Sequence, residues 1–366
     1  MSNIIYLNST MSGAPSLSNT TGSLIGVLTA ALQDGFGSVT VNTLAVAANV
    51  ATATVSGGHQ FAMIGSCGPV IRIAGASPSG LNGDWRITVT DSTHFTFATT
   101  GIADQTATGT ITAKRAPAGF SVAFTRTNGA VYRADDVTGS RLFLRIDDGY
   151  TSYARIVGYE SMTDADTGAA AFPTDAQQSG GLYVNKANAA NRAWTLFSDG
   201  RFLYFFCDAA GGGSWSGGFA FGDMASYLSP DAYGSMLCAS NTSSGNIYLP
   251  YLNDTTASYI ARASTQTGGS ITSSRKSIAA TGGIGAGTQV YPGIGNDLQV
   301  WPVEVLEAST RARGLMPGLW NPNHTLATLP AHGSVHENII GLEGRTLLMQ
   351  HMGTGRGLID LTGPWR

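Results

Sequence analysis

The sequence predicts a mainly β protein, with β-sandwich or barrel-like domains, an inserted small β module and one or two short helices. Three observations carry this expectation. From Val39 onward, short runs rich in Val, Thr, Ile and Phe follow a period near two. Gly, Asn and Pro break these runs at close intervals, and 48 of the 366 residues are glycine. Convincing helical periodicity is scarce, and its clearest instance lies between Leu24 and Leu32.

The elements follow in order. Residues 1–44 form an N-terminal segment with a short apolar strand, Ile4 to Leu7, then a Ser/Asn/Gly/Pro-rich loop and a helix. Leu24, Ile25, Val27, Leu28, Ala31 and Leu32 share one face of that helix, with Thr21 or Ser23 as N-cap candidates and Gly35 beyond its end. Residues 45–115 form a self-contained small β module of four or five strands, with a turn at Ser77-Pro78-Ser79-Gly80 and a tight turn at Asn82-Gly83. Its expected core is Val70, Ile71, Ile73, Trp85, Ile87, Val89, Phe95 and Phe97, anchored by Trp85.

Strand pattern resumes directly after Ala116-Pro117, so the module reads as an insertion into, or a graft beside, a larger β domain over 116–300. Hairpin turns are expected there at Asn128-Gly129, Asp148-Gly149 and Asp199-Gly200, and a further strand stretch over 288–306. Residues 301–366 read as an assembly segment. Trp320, Leu342, Leu347, Leu348, Met349, Leu358, Ile359, Leu361 and Trp365 carry too much apolar surface to stay wet. Gly363-Pro364 would turn the chain so that Trp365 docks against a neighbouring subunit or the domain's own sheet, with Arg366 at the rim.

Composition narrows the function. Only 12% of residues are charged, against about 25% in an average domain. A lone globule covers itself with solvated groups, so scarce charge points to a surface that meets other protein, and oligomerisation is the first inference. A chain that is 43% hydrophobic with net charge −3 does not have the balance of a disordered one. Without a Lys/Arg block, neither nucleic acid nor an anionic membrane surface is an expected partner. The start lacks a secretory pattern and no 18-residue apolar run occurs, so the chain reads as soluble and made in the cytoplasm. Cys67, Cys207 and Cys238 are three, widely spaced, and read as small core residues.

Each candidate site has a plainer reading. His324, His332, His336 and His351 cluster late in the chain, but Pro330, Gly333 and Ser334 argue against the helix that a His332/His336 zinc pair requires. Asp164, Asp166 and Asp175 mimic part of a calcium loop with the glycine misplaced. Asp135-Asp136 and Asp147-Asp148 suggest glycosidase carboxylates, yet adjacent acids at strand ends usually belong to turns. No nucleophile elbow, Walker loop, dinucleotide fingerprint or coil repeat appears. No catalytic residue, metal or cofactor is therefore expected. Trp215, set in a glycine run, and Tyr227, Trp320 and Trp365 are the candidate interface or ligand contacts, packing being favoured over sugar binding for Trp215.

The string from Ala74 to Gly101, with its Gly-Ala-x-Pro-x-Gly-Leu-Asn-Gly-x-Trp pattern followed by Asp91-Ser92-Thr93-His94-Phe95-Thr96-Phe97, resembles a small β module of bacteriophage tail and other virion proteins. The resemblance covers about 70 residues, and His59-Gln60-Phe61 departs from the His-Gly turn more usual there. Arg313 to Leu319, Gly341 to Leu348 and Ile359 to Arg366 are similar to the endings of phage structural proteins. The resemblance implies a non-enzymatic virion component, most simply a tail-tip or baseplate (minor tail) protein in a homo-oligomer with other tail proteins. A receptor- or glycan-binding tail fibre or tip protein that touches host surface polymer is the alternative, and a head decoration or collar protein stands behind both.

Overall fold

The computed structural model describes residues 3–250, 256–277, 298–307, 311–322, 329–353 and 355–366. The fold is mainly β, as expected, with antiparallel sheets and, among the described residues, no closed barrel. Among the described residues no helix is long and apolar enough to cross a membrane. The sequence stretch 278–297 and His324 lie outside the described residues.

The body is layered. A central sheet runs in the order Ile5–Asn8, Trp194–Ser198, Phe202–Cys207, Gly217–Asp223, Ser235–Ser240 and Thr256–Ile260, every neighbour antiparallel. Its side chains alternate between two cores. Leu203, Phe205, Phe219, Phe221 and Leu237 face the helix and an outer sheet built from Phe120–Arg126, Gly129–Ala134, Phe143–Asp147, Tyr153–Met162 and Leu182–Asn185. Phe202, Tyr204, Phe206, Ala220, Met236 and Cys238 face the opposite way, toward Val303, Val305, Met316, Leu319, Leu348 and Ile359 of a C-terminal sheet. Burial on both faces explains why Phe202–Cys207 reads as an unbroken apolar run rather than an alternation.

The helix Ser23–Thr29 buries Leu24, Val27 and Leu28, and its last turn widens to an i→i+5 bond from Gly35 N–H to Ala30 O (2.8 Å). Its cap differs from the expected Thr21 or Ser23. Gly22 is the N-cap and has no side chain to offer, while the Ser23 hydroxyl donates to Ser18 O (2.6 Å). The free N–H groups of the first turn go instead to Asp148 Oδ2, 2.8 Å from Leu24 N and 3.4 Å from Ile25 N. Asp148 is buried and its other oxygen pairs with buried Lys186; Asp148-Gly149 opens a hairpin connection, as expected, but through the longer loop 148–152 between the antiparallel strands Phe143–Asp147 and Tyr153–Met162. The Asn128 hairpin is real, with Thr127 and Asn128 in the loop and Asn128 at φ 54°, and Asp199-Gly200 closes a four-residue turn from Asp199 N–H to Phe202 O.

The small module is a two-sheet sandwich. One sheet pairs Phe36–Thr40, Thr112–Arg115, Val70–Ala74 and Gly83–Arg86, and the other pairs Thr88–Val89, His94–Ala98, Val50–Thr54, Thr43–Ala47 and Gln105–Thr106. Its strands therefore begin at Phe36, ahead of residue 45. The chain enters along Phe36–Thr40 and leaves along Thr112–Arg115, which are hydrogen-bonded neighbours, the geometry of an insertion between the helix and the outer sheet. Ile71, Ile73, Ile87, Phe95 and Phe97 form the core with Leu44, Val46 and Ala53. Trp85 and Val89 sit at its rim, and Val70 joins the body's core instead. Trp85 is half-buried, stacked on Phe97 at 4.9 Å with its Nε1–H on Leu81 O (2.9 Å), so it clamps the turn rather than filling the centre. The three cysteines are free and buried.

Candidate functional site

A cleft of about 790 Å³ opens where the central sheet meets the C-terminal sheet. It is lined by Thr138 to Ser140, by Arg201 and Asp223, by residues between Met224 and Asp231 other than Tyr227, and by Arg366. Ser229-Pro230 within it is a cis peptide bond.

Charges in the cleft are matched within the chain. Asp223 accepts from Ser140 N (2.8 Å), the Ser140 hydroxyl, the Ser235 hydroxyl (2.5 Å) and Arg201 Nη2 (3.1 Å). Asp231 takes a bidentate bond from buried Arg313, at 2.8 and 2.7 Å, and Arg313 also pairs with Glu307. Burial opposes the charge of Asp231, but Arg313, Ser226 and Gln266 outweigh it and hold the carboxyl below its usual range. Arg366 pairs with Asp199 through Nε (2.9 Å) and donates from Nη1 to the backbone oxygens of Asp223 and Met224. The buried Nε–H of Arg201 has no partner among the described residues. A glycosidase needs one carboxylic acid kept protonated. Asp231 is held charged, so it is not arranged as that acid, and Asp223 is bonded by four donors of its own chain.

The four contact candidates part company. Tyr227 is 55% exposed beside the cleft, its hydroxyl on Glu304 Oε1 (3.3 Å), and burial together with Glu304 raises its phenol above the usual range. Trp215 is only 7% exposed and stacks on His332 at 4.1 Å. It packs within its own chain and is neither a free interface residue nor a ligand contact, because Asp208 gathers Gly213 N, Ser214 N and Trp215 N and curls the glycine run inward. Trp365 is 8% exposed, edge-on to Tyr204 with Nε1–H on Asp360 O (2.8 Å), and fills the space above Gly318, where a Cβ would stand 2.2 Å from the indole. It docks on its own sheet, one of the two expected outcomes. Trp320 is half-buried against Leu347, Met349 and Leu358.

The other readings resolve into local bonds. His332 and His351 meet edge-on at 5.4 Å, and His336 lies 3.0 Å from the Ser334 hydroxyl. Asp164 accepts from Asp166 N and Thr167 N, Asp166 pairs with Arg126, and Asp175 accepts from Gly180 N. Asp135 takes the Ser121 hydroxyl, Asp136 takes Thr138 N, and Asp147 pairs with Arg126. Among the described residues no group of three His, Cys, Asp or Glu side chains stands close enough to hold a metal ion. Sequence reasoning missed Ser140, Arg201, Asp223 and Asp231. They come from four separate segments, and the one local signal that could have pointed to them is the turn chemistry of Ser229-Pro230-Asp231. No protein-family model matches the sequence and no curated protein matches it.

Proposed function

We propose that the protein is a non-enzymatic structural component of a bacteriophage virion, assembled as an oligomer at the tail tip or baseplate. The observation that carries this reading is that Asn82 and Trp85 of the virion-module pattern hold the module's hairpin closed. Asn82 bonds Ala76 from both ends of its amide, Oδ1 to Ala76 N (2.8 Å) and Nδ2 to Ala76 O (2.9 Å), Ser77-Pro78 is cis, and Trp85 clamps Leu81. The resemblance thus falls on residues with a physical task rather than on composition. Antibody labelling of purified particles, with light scattering on the purified protein, tests the reading. Gold at the tail and a mass of several chains are expected; absence from particles would overturn it.

The recognition reading, a tip protein that touches host surface polymer, is favoured by the cleft beside exposed Tyr227. Direct adhesion of the purified protein to host cells, weakened by Tyr227→Ala, is its expected mark.

A further inference from the structure

Away from the cleft, the outward face of the outer sheet carries a chain of aromatic rings. Tyr150 and Tyr153 stack at 4.5 Å with 19° between planes, Tyr153 meets Tyr183 edge-on at 5.3 Å, and the Arg155 guanidinium lies 3.7 Å over the Tyr183 ring. The register explains the cluster. Arg155 is opposite Tyr183 and Tyr153 opposite Asn185, so these side chains leave the sheet on one face. Tyr150 is added by the loop ahead of Tyr153–Met162. That loop is pinned at both ends, by the buried Asp148–Lys186 pair and by Lys186 N–H on Ser152 O (3.1 Å). Tyr150 is nevertheless 46% exposed.

Arg155 is fixed as well. Its Nε donates to Gly180 O (3.1 Å) and its Nη2 to Ser179 O and Gly181 O, while Nη1 carries no hydrogen bond and the side chain has no carboxylate partner among the described residues. The neighbouring acids are already engaged. Asp147 and Asp166 are both held by Arg126, Arg145 reaches Asp166 at 4.0 Å, and Asp175 accepts from Gly180 N. The surface therefore sets a fixed ring face, with the small residues Gly149, Thr151 and Ser152 around it, beside a cation whose Nη1 edge has no hydrogen bond among the described residues.

We propose that Tyr150, Tyr153, Tyr183 and Arg155 form a platform for an acidic glycan. A pyranose stacks on the open face of Tyr150, and a uronate carboxylate further along the chain meets the Nη1 edge of Arg155. This deepens the recognition reading above and rests on it for the biological source of the glycan. Because the rings are held before any ligand arrives, little ordering accompanies binding.

The test is calorimetric titration of the full chain with a hyaluronan hexasaccharide, which carries glucuronate, and with neutral maltohexaose. The acidic sugar is expected to bind about tenfold more tightly, and Tyr150→Ala to weaken it about tenfold with an unchanged melting temperature. Arg155→Gln should bring the two sugars to equal affinity; because Arg155 also holds the 179–181 loop, its melting curve is recorded alongside, and Tyr150→Ala decides if that variant unfolds. Binding of neither sugar, or binding unaffected by Tyr150→Ala, would overturn the proposal. So would self-association that Tyr150→Ala abolishes, which would make the patch a contact between copies. Host-cell adhesion that persists in Tyr150→Ala would sink the platform while leaving the recognition reading intact.

Discussion

The inserted module and the central sheet use the same backbone arrangement with opposite surroundings. In the module, Val50–Thr54 and His94–Ala98 bury alternate residues, one face in the core and one toward solvent. In the central sheet, Trp194–Ser198, Phe202–Cys207 and Gly217–Asp223 are buried at every position. The contrast bears on the charge shortage. A sheet covered on both faces by its own chain offers few positions for charge, so part of the missing 12-versus-25% balance is absorbed internally rather than by partners. Composition therefore argues less strongly for oligomerisation than the raw charge count suggests.

The largest expected effects test whether these two regions are separate cooperative units. Phe205→Ala and Phe95→Ala both remove fully buried rings, and each should cost about 3–5 kcal/mol. Phe205 lies where the helix, outer sheet and central sheet meet, so its loss should lower hydrogen-exchange protection across the body. Phe95→Ala should lower protection only within residues 36–115. Equal loss in the central sheet would mean that module and body unfold together, through contacts such as Arg86 Nη2 on Leu361 O (3.2 Å) and Ser66 on Glu337 (2.6 Å).

Next in size is Trp365→Ala, expected to cost about 3 kcal/mol in urea unfolding. The indole covers the C-terminal face of the central sheet through Tyr204 and Gly318, and its loss also frees Asp360 O. A change under about 1 kcal/mol would show that the second face of the central sheet is sealed without it.

How far these regions were legible differs for a physical reason. The module announced itself because alternation and turn chemistry are local, and Asn82 and Pro78 sit beside the atoms they act on. The helix face was legible too, yet its cap was not, because Asp148 comes from 124 residues away and nothing in the string at 21–23 points to it. Trp215 misled for the same reason. Its glycine neighbours advertise exposure, while Asp208 and His332 bury it. The cleft and the tyrosine platform are assembled by register across strands, which spacing along one strand does not disclose.

A smaller effect is expected from Trp85→Ala, where a fully central tryptophan would cost about 3–5 kcal/mol. Trp85 is half-buried and stands at the rim, so the loss is one stacked pair, one hydrogen bond and partial burial, together about 2 kcal/mol. A measured loss above 4 kcal/mol would move Trp85 back to the centre and make the module's two sheets depend on it.

The last effect vanishes at neutral pH and appears only in acid, and it falls on the C-terminal layer. Burial, with His351 beside it, pushes His332 down to about 4, with Asp208 opposing, and burial, with Arg356 beside it, also lowers His351. A histidine that is harder to protonate folded than unfolded stabilises the fold fully above its unfolded pKa of about 6.5. That contribution is lost progressively as pH falls from about 6.5 toward 4, because the unfolded chain takes up the proton first. Protection of the strands Thr346–Met352 and Gly355–Asp360 should therefore decline in this window. His332→Phe keeps a ring against Trp215 and removes the titration, so the decline should shrink in that variant while carboxylate effects stay. An acid decline of the same size in His332→Phe would take it away from His332 and assign it to His351, His336 or the carboxylates.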